Sequence, residues 1–291
     1  MVDNKIVIGV DVGGTNIRSA RIRLDKDSYL IEDFYEEKTD SLASEEDFLK
    51  QLVDVIRKVF DPSVEGIGVG FPAIVDEEGV VYDTNNIPSL KHYALKDNLE
   101  DYFTVPITIN NDADCFVMAE KRLLEQATGN EYGSLVGVVI GTGLGSGIFI
   151  NNNIYVGSSY AAGELGEIPY KDSTFEENLS SRFFNRQNIE AISAYRKAVQ
   201  GNEDMRKLFK EFGFNLGDLF STIAFSINPK IIFIGGSLIK ARSFFEEEAK
   251  LRFKENVPEK VFNNTEIRFS ETDSPGILGA AFFIERALKY Q

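Results

Sequence analysis

Residues 6–22 read IVIGVDVGGTNIRSARI. An apolar, β-branched run ends in Asp11, two glycines and a threonine follow, and apolar alternation resumes at Ile17. The pattern predicts two strands, 5–11 and 16–24, joined by a tight turn. Successive backbone N–H groups in a glycine turn form a concave donor surface that suits phosphate oxygens, and a glycine lets the backbone come close to a ligand. Gly13, Gly14 and Thr15 supply such a turn. Asp11 stands at the strand end, where a carboxylate suits a magnesium ion carried by phosphates. The plain alternative is a hairpin turn with no ligand, because glycine marks turns everywhere.

Two further stretches repeat the theme. SLVGVVI (134–140) and GSGIFI (145–150) read as strands around the turn GTGLG, which offers Gly141, Thr142 and Gly143. IIFIGGS (231–237) is a third strand running into glycines, Gly235 and Gly236. None of the three matches G-x-x-x-x-G-K-[ST], so a P-loop is not indicated. GTGLGS imitates part of G-x-G-x-x-G, yet it joins two strands instead of opening a helix, which counts against a dinucleotide site.

Between these turns the periodicity predicts a strand over 28–36 and a helix over 44–60. The helix carries Phe48, Leu49, Leu52, Val53, Ile56 and Val59 at helical spacing, with Ser44 or Asp40 as its cap. Strands follow at 64–70 and 106–110, then a helix from about Asp112 to Ala127. A long helix over about 203–227, the short strand EIRFS and a helix from about Pro275 to Lys289 complete the reading. The result is an α/β protein with mixed sheets in two halves, each opening on a Gly/Thr hairpin. The expected hinge lies near residue 112. It divides an N-terminal domain, 1–111 completed by the helix at about 275–291, from a larger C-terminal domain, 112–274.

Composition excludes several function classes. The chain has 291 residues and a formal charge of −15, which opposes an extended nucleic-acid surface. No apolar run approaches the length of a membrane span. The opening MVDNKIVIGVD carries an aspartate and runs into a strand, unlike a signal peptide, so a cytoplasmic protein is expected. Cys115 and His92 are the single cysteine and histidine, so a structural zinc site of cysteines and histidine cannot be assembled. Cys115 reads as core packing and His92 as a surface residue. The acidic runs EDFYEEK and FEEEAK read as solvated faces.

DVGGTNIR (11–18), NNIPSL (85–90), INNDAD (109–114), VIGTGLGSGIFINNNIYVGSSYAAGELGE (139–167), IFIGGSL (232–238) and SPGILGAAFF (274–283) together resemble the ROK family of sugar kinases and related repressors. The resemblance runs along nearly the whole chain, in order. It implies the actin-like (ribonuclease H-like) ATPase fold, two α/β domains around a cleft. It also implies ATP with Mg2+ near Asp11, a hexose or hexosamine at the hinge, and a homodimer. Carried over by position, Asp112 matches the family's catalytic aspartate and Asn111 the neighbouring sugar contact. Asn86 and Glu164 match sugar-binding residues, and Glu177 with Ser181 matches a Glu-x-x-x-Ser segment. The nucleotide contacts fall on Asp11, Gly13, Gly14, Thr15, Thr142, Gly143, Gly235 and Gly236. Read from the residues alone, Asn111 and Asp112 equally suit the N-cap of the helix that follows. Phosphoryl transfer to an alcohol does need a group that orients the hydroxyl and accepts its proton, and a carboxylate at that place serves.

Three departures from the family pattern stand out. Glu167 occupies the place of a histidine three residues after Glu164. An ionised carboxylate only accepts hydrogen bonds, and two carboxylates this close repel, so one of them should carry a raised pKa. The segment 168–181 has no cysteine or histidine, so no structural zinc is expected and something other than metal must hold it. Leu90 and Ser89 stand where the family has tryptophan and glycine. The expected function is ATP-dependent phosphorylation of a hexose. Glucose comes first, with N-acetylmannosamine or another N-acetylhexosamine, or fructose, as alternatives. A non-catalytic sugar sensor is a further reading. A repressor would need a winged helix where this sequence opens on a strand.

Overall fold

The turn after Asp11 joins the central strand of a five-stranded sheet to its antiparallel neighbour. The structure, a computed structural model, describes residues 4–26, 28–82, 84 and 87–289. In chain order it begins with β1 (Lys5–Val12), β2 (Asn16–Leu24), β3 (Tyr29–Lys38), α1 (Glu45–Arg57) and β4 (Gly66–Phe71). A small antiparallel flap of β5 (Ile74–Val75), β6 (Val80–Tyr82) and β7 (Tyr93–Ala94) comes next, then α2 (Leu95–Glu100), β8 (Ile107–Asn111) and α3 (Asp112–Thr128). There follow β9 (Ser134–Ile140), β10 (Leu144–Ile150), β11 (Asn153–Ile154), β12 (Pro169–Tyr170) and β13 (Ser173–Thr174). Helices α4 (Phe175–Leu179), α5 (Ser181–Asn185), α6 (Ala191–Val199) and α7 (Glu203–Ser226) lead to β14 (Ile231–Gly235). Last come α8 (Glu246–Asn256), α9 (Glu259–Asn264), β15 (Glu266–Phe269) and α10 (Pro275–Leu288).

The first sheet has the order β3-β2-β1-β4-β8. β1 pairs antiparallel with β2 and parallel with β4, and β4 pairs parallel with β8. The second sheet repeats this plan as β11-β10-β9-β14-β15, with β9 antiparallel to β10 and parallel to β14. Each central strand therefore ends in a Gly/Thr hairpin. The first is closed by the Gly13 N–H donating to the Asn16 carbonyl at 2.9 Å, the second by the Gly141 N–H donating to the Gly143 carbonyl at 2.9 Å. The fold is the mixed α/β, actin-like ATPase fold.

Side-chain chemistry explains the elements around the first sheet. Ser44, not Asp40, caps α1 by accepting the Asp47 N–H, and Glu45, Glu46 and Asp47 complement the helix dipole. The helix buries Phe48, Leu52 and Ile56, at about 1.5–3 kcal/mol for each fully buried side chain, which outweighs any propensity term. On α10 the contact is backbone to backbone. A β carbon on Gly9 would overlap the Ile277 carbonyl, one on Gly68 the Ala280 carbonyl, and one on Gly279 the Cys115 carbonyl. Glycine at these places lets α10 lie directly on β1, β4 and α3.

The chain divides into two compact units. One comprises Met1–Glu131, Val156–Ala162 and Thr272–Gln291, the other Tyr132–Tyr155 and Gly163–Glu271. The sequence reading opens the second domain at residue 112, whereas the contacts keep α3 in the first unit. The close approach of α3 to α10 at Gly279 is the reason. Among the described residues no helix is long and apolar enough to cross a membrane.

Candidate active site

In the first unit, three chain segments converge at the carboxyl ends of the parallel strands. Asp11 on β1 lies opposite Gly70 of β4 in register, and Asn111 at the end of β8 lies opposite Phe71. Asp11 and Asn111 therefore stand on the two strands that flank β4, roughly 10 Å apart at ordinary strand spacing. Asp11 is also the cross-strand partner of Arg18, whose Nη1 is 3.7 Å from its Oδ2. Burial raises the Asp11 pKa above the ordinary carboxylate value, and Arg18 opposes the rise. The start of α10 presses on the same carboxylate: a β carbon on Gly276 would lie 2.8 Å from Asp11 Oδ1.

Asn111 is the N-cap of α3. Its Oδ1 accepts the N–H groups of Ala113 (2.8 Å) and Asp114 (3.2 Å), and its Nδ2 donates to the Ala73 carbonyl at 3.0 Å. The cap role thus falls to Asn111, and Asp112 is the first residue of the helix itself. The Gly13–Thr15 turn is anchored by Thr39, whose hydroxyl donates to the Gly13 carbonyl at 2.6 Å and whose N–H donates to the Thr15 carbonyl. Gly14 and Thr15 at its tip remain exposed. Asn86 lies outside the described residues. Leu90 is fully buried in the core of this unit, and His92 is exposed against the Tyr82 ring. Cys115 is buried, and its thiol pKa is raised by that burial and by Asp114, Asp112 and Asp11.

In the second unit the structure joins the other two glycine turns. Gly236 has φ of 93°, and a β carbon there would overlap the Ile140 carbonyl. The Gly235–Gly236 turn thereby packs on the end of β9, beside Gly141. A cavity of about 450 Å³ opens here, lined by Gly141, Thr142, Ser237, Leu238, Tyr195 and Lys240 among others. Thr142 is exposed at the hairpin tip.

The acidic residues of this unit cluster differently from the sequence reading. Glu164 is raised above the ordinary carboxylate value, first by the protein crowding its carboxyl and then by Glu167 and Glu176. The repulsion expected between Glu164 and Glu167 is thus present, and Glu176 joins it. Glu176 Oε2 accepts the Leu144 N–H at 2.9 Å and sits 2.6 Å from where a β carbon on Gly143 would be. Arg182 Nη1 lies 2.9 Å from Glu176 Oε1 and 2.9 Å from Glu177 Oε1, bridging the two. Ser181 donates its N–H to the Gly141 carbonyl at 2.9 Å, and the Ser146 hydroxyl donates to the Gly163 carbonyl, so the 163–181 segment is tied to the hairpin at Gly163, Glu176 and Ser181. Glu176 is the more buried of the two glutamates, 16% exposed against 33% for Glu177.

A family model described as the ROK family matches residues 7–287. The chain belongs to the ROK family. Among curated relatives, an N-acetyl-D-glucosamine kinase of Photobacterium profundum is 26% identical, over 94% of this chain and 97% of the relative. A glucokinase of Halalkalibacterium halodurans is 24% identical, over 96% and 94%. Among solved structures, a ROK family glucokinase from Streptomyces griseus in complex with glucose and AMPPNP aligns with a TM-score of 0.79 at 22% identity, covering 96% of this chain and 98% of that one. Sequence reasoning missed Glu176, Gly276 and the cavity residues Tyr195, Leu238 and Lys240. Gly276 lies inside the quoted SPGILGAAFF stretch, but nothing in the pattern ties it to Asp11. The cavity residues come from separated segments with no shared motif.

Proposed function

We propose that this ROK protein transfers the terminal phosphoryl group of ATP to a hydroxyl of a hexose. The observation that carries the reading is the placement of Asp11 and Asn111–Asp112 at the carboxyl ends of the two strands flanking β4, where α/β sheets bind ligands. In this reading Asp112 orients the sugar hydroxyl and accepts its proton as the phosphoryl group moves across. Asn111 combines helix capping with a sugar contact, alongside Asn86. Thr15, Gly13 and Gly14 offer donors to phosphate oxygens in the first unit, and Thr142, Gly143, Gly235 and Gly236 do so in the second. The cavity of about 450 Å³ beside Gly141 suits the nucleoside.

Magnesium fits these residues as an ion that arrives with the nucleotide. No cluster of three metal-ligating side chains exists among the described residues. Asp11 supplies one carboxylate in a cradle that a β carbon at Gly276 would fill, and magnesium usually keeps waters and substrate phosphates as its other ligands. When bound, the ion would neutralise phosphate charge.

Glu164 and Glu167 act as sugar acceptors, with Glu176 or Glu177 as the third. Glucose is the first expectation, supported by the glucokinases among its relatives; the N-acetylglucosamine kinases support an N-acetylhexosamine equally well. A coupled assay of ADP release with glucose, N-acetylglucosamine, N-acetylmannosamine, mannose and fructose tests the reading. Turnover with one hexose well above the rest supports it. Absence of sugar-dependent ADP release with every one of them, in protein that still binds ATP, would favour the sugar sensor.

A further inference from the structure

The segment 163–181 carries Glu164, Glu167, Glu176 and Glu177, yet it has little regular structure to hold it. It contains a short 3-10 turn (Leu165–Glu167), the two-residue strands β12 and β13, and the five-residue α4. Its sequence offers no cysteine or histidine as a metal ligand between residues 168 and 181. Besides its ties to the β9–β10 hairpin, it is gripped by a set of polar and aromatic contacts to α7 and α8. The Tyr170 hydroxyl lies 2.7 Å from Asp218 Oδ2 and 3.2 Å from Asn215 Oδ1. A tyrosine hydroxyl has one proton to give, and the shorter contact to a carboxylate takes it.

Asp218 Oδ1 accepts Arg252 Nε at 2.7 Å and Asn256 Nδ2 at 2.8 Å, so one carboxylate gathers donors from β12 and from two positions on α8. Asn215 is fully buried; its Oδ1 accepts Lys171 Nζ at 2.7 Å and its Nδ2 donates to the Asn178 carbonyl at 3.3 Å. The Tyr170 ring stacks on Phe175 at 4.3 Å, and the Arg252 guanidinium lies 4.0 Å over the Phe214 ring. The titration behaviour agrees with this geometry. Burial and the bond to Asp218 push the Tyr170 hydroxyl up. Against the cost of burial, bonds from Tyr170, Arg252 and Asn256 bring Asp218 below its ordinary value.

We infer that Tyr170 and Asp218, backed by Arg252 and Asn215, form a brace of side chains that positions the carboxylates of residues 164–177 for sugar. They are positioning residues. The route from brace to site is short: the Phe175 N–H donates to the Ile168 carbonyl, and Gly166 packs on the Leu144 carbonyl and on Glu176 Cβ. The brace on β12 thereby adjoins the 3-10 turn and α4, the elements that carry or flank Glu164, Glu167, Glu176 and Glu177. The inference rests on the proposed function for its substrate, and on geometry alone for the brace.

Hydrogen exchange of the full-length Asp218→Asn and Tyr170→Phe variants tests the brace without any activity. Amides of 163–181 should exchange at least about tenfold faster while α7, β9 and β14 keep their protection, because only local opening becomes easier. Unchanged protection in 163–181, or a loss spread evenly through the second unit, overturns the brace. Steady-state kinetics then reads the positioning. KM for the sugar should rise about tenfold or more, with KM for ATP within about twofold and kcat reduced less than the sugar KM rises. Asp218→Glu should recover part of the sugar KM. Equal rises in both KM values would mark a merely structural role. A wild type that turns over no sugar would sink the proposed function and leave the exchange result standing.

Discussion

Asp112 sits one residue inside its helix, and Asn111 does the capping. Replacing Asp112 by Asn should therefore leave α3 intact. We expect kcat to fall by roughly 10²–10⁴-fold, with sugar affinity by calorimetry within a few fold of wild type. Near-normal turnover would remove Asp112 from the role of base. Asn111→Ala, by contrast, should cost about 1 kcal/mol of stability through the lost cap. Glu164 offers a second residue-scale test. A carboxyl whose pKa is raised by folding contributes stability that is fully present below its unfolded pKa and is lost as pH rises through the folded value. Raising the pH above the ordinary carboxylate range thus works against the fold. Glu164→Gln should raise the melting temperature at pH 7, and the gain should shrink to nothing below about pH 4. The same variant should bind sugar more weakly, a trade of stability for activity.

At the scale of elements, glycine makes possible the close backbone approach of α10 to α3. Gly279→Ala gains about 1 kcal/mol in helix propensity, but its methyl would overlap the Cys115 carbonyl. We expect the clash to dominate, with a net loss of about 3 kcal/mol or more, or insoluble protein. Denaturant unfolding measures it; a variant as stable as wild type would show that α10 and α3 can separate cheaply. Long elements were legible in the sequence for physical reasons. β1, α1, α3, α7 and α10 bury one face or both, so their apolar spacing repeats often enough to read, and Ser44 marks the start of α1. The flap β5–β7 and the β12–β13 hairpin were not. Their strands are two or three residues long, shorter than any period can register. The third acidic residue was ambiguous for a similar reason. Glu176–Ser180 and Glu177–Ser181 have identical spacing, and only the fold shows Glu176 against Leu144 and close enough to act on Glu164.

Across the whole molecule, two sheets of the same strand order bring each Gly/Thr hairpin to the end of a central strand. The sequence hinted at this duplication through the repeated Gly/Thr turn alone, because strand order leaves no local trace. It also offers no cysteine or histidine over 168–181, and the expectation that follows is that no zinc holds this segment. A purified preparation should contain no stoichiometric zinc, and a chelator should leave the melting temperature unchanged; a drop of several degrees would show a structural metal after all. The identity of the sugar was less legible, since Glu167 replaces a residue that donates as well as accepts, and relatives with different sugars lie at similar distance.

The packing of α10 on Gly9 and Gly68 reaches beyond the finished protein. The first unit takes its closing helix from residues 275–288, after all of the second unit has been translated. A nascent chain leaving the ribosome therefore holds an unsealed N-terminal sheet, its apolar face uncovered until residues 275–288 emerge. The later-made unit is complete in sequence by residue 271, before the first unit's closing helix begins. The first unit therefore cannot complete its fold before the second has been made, a departure from the usual N-to-C order of folding during translation.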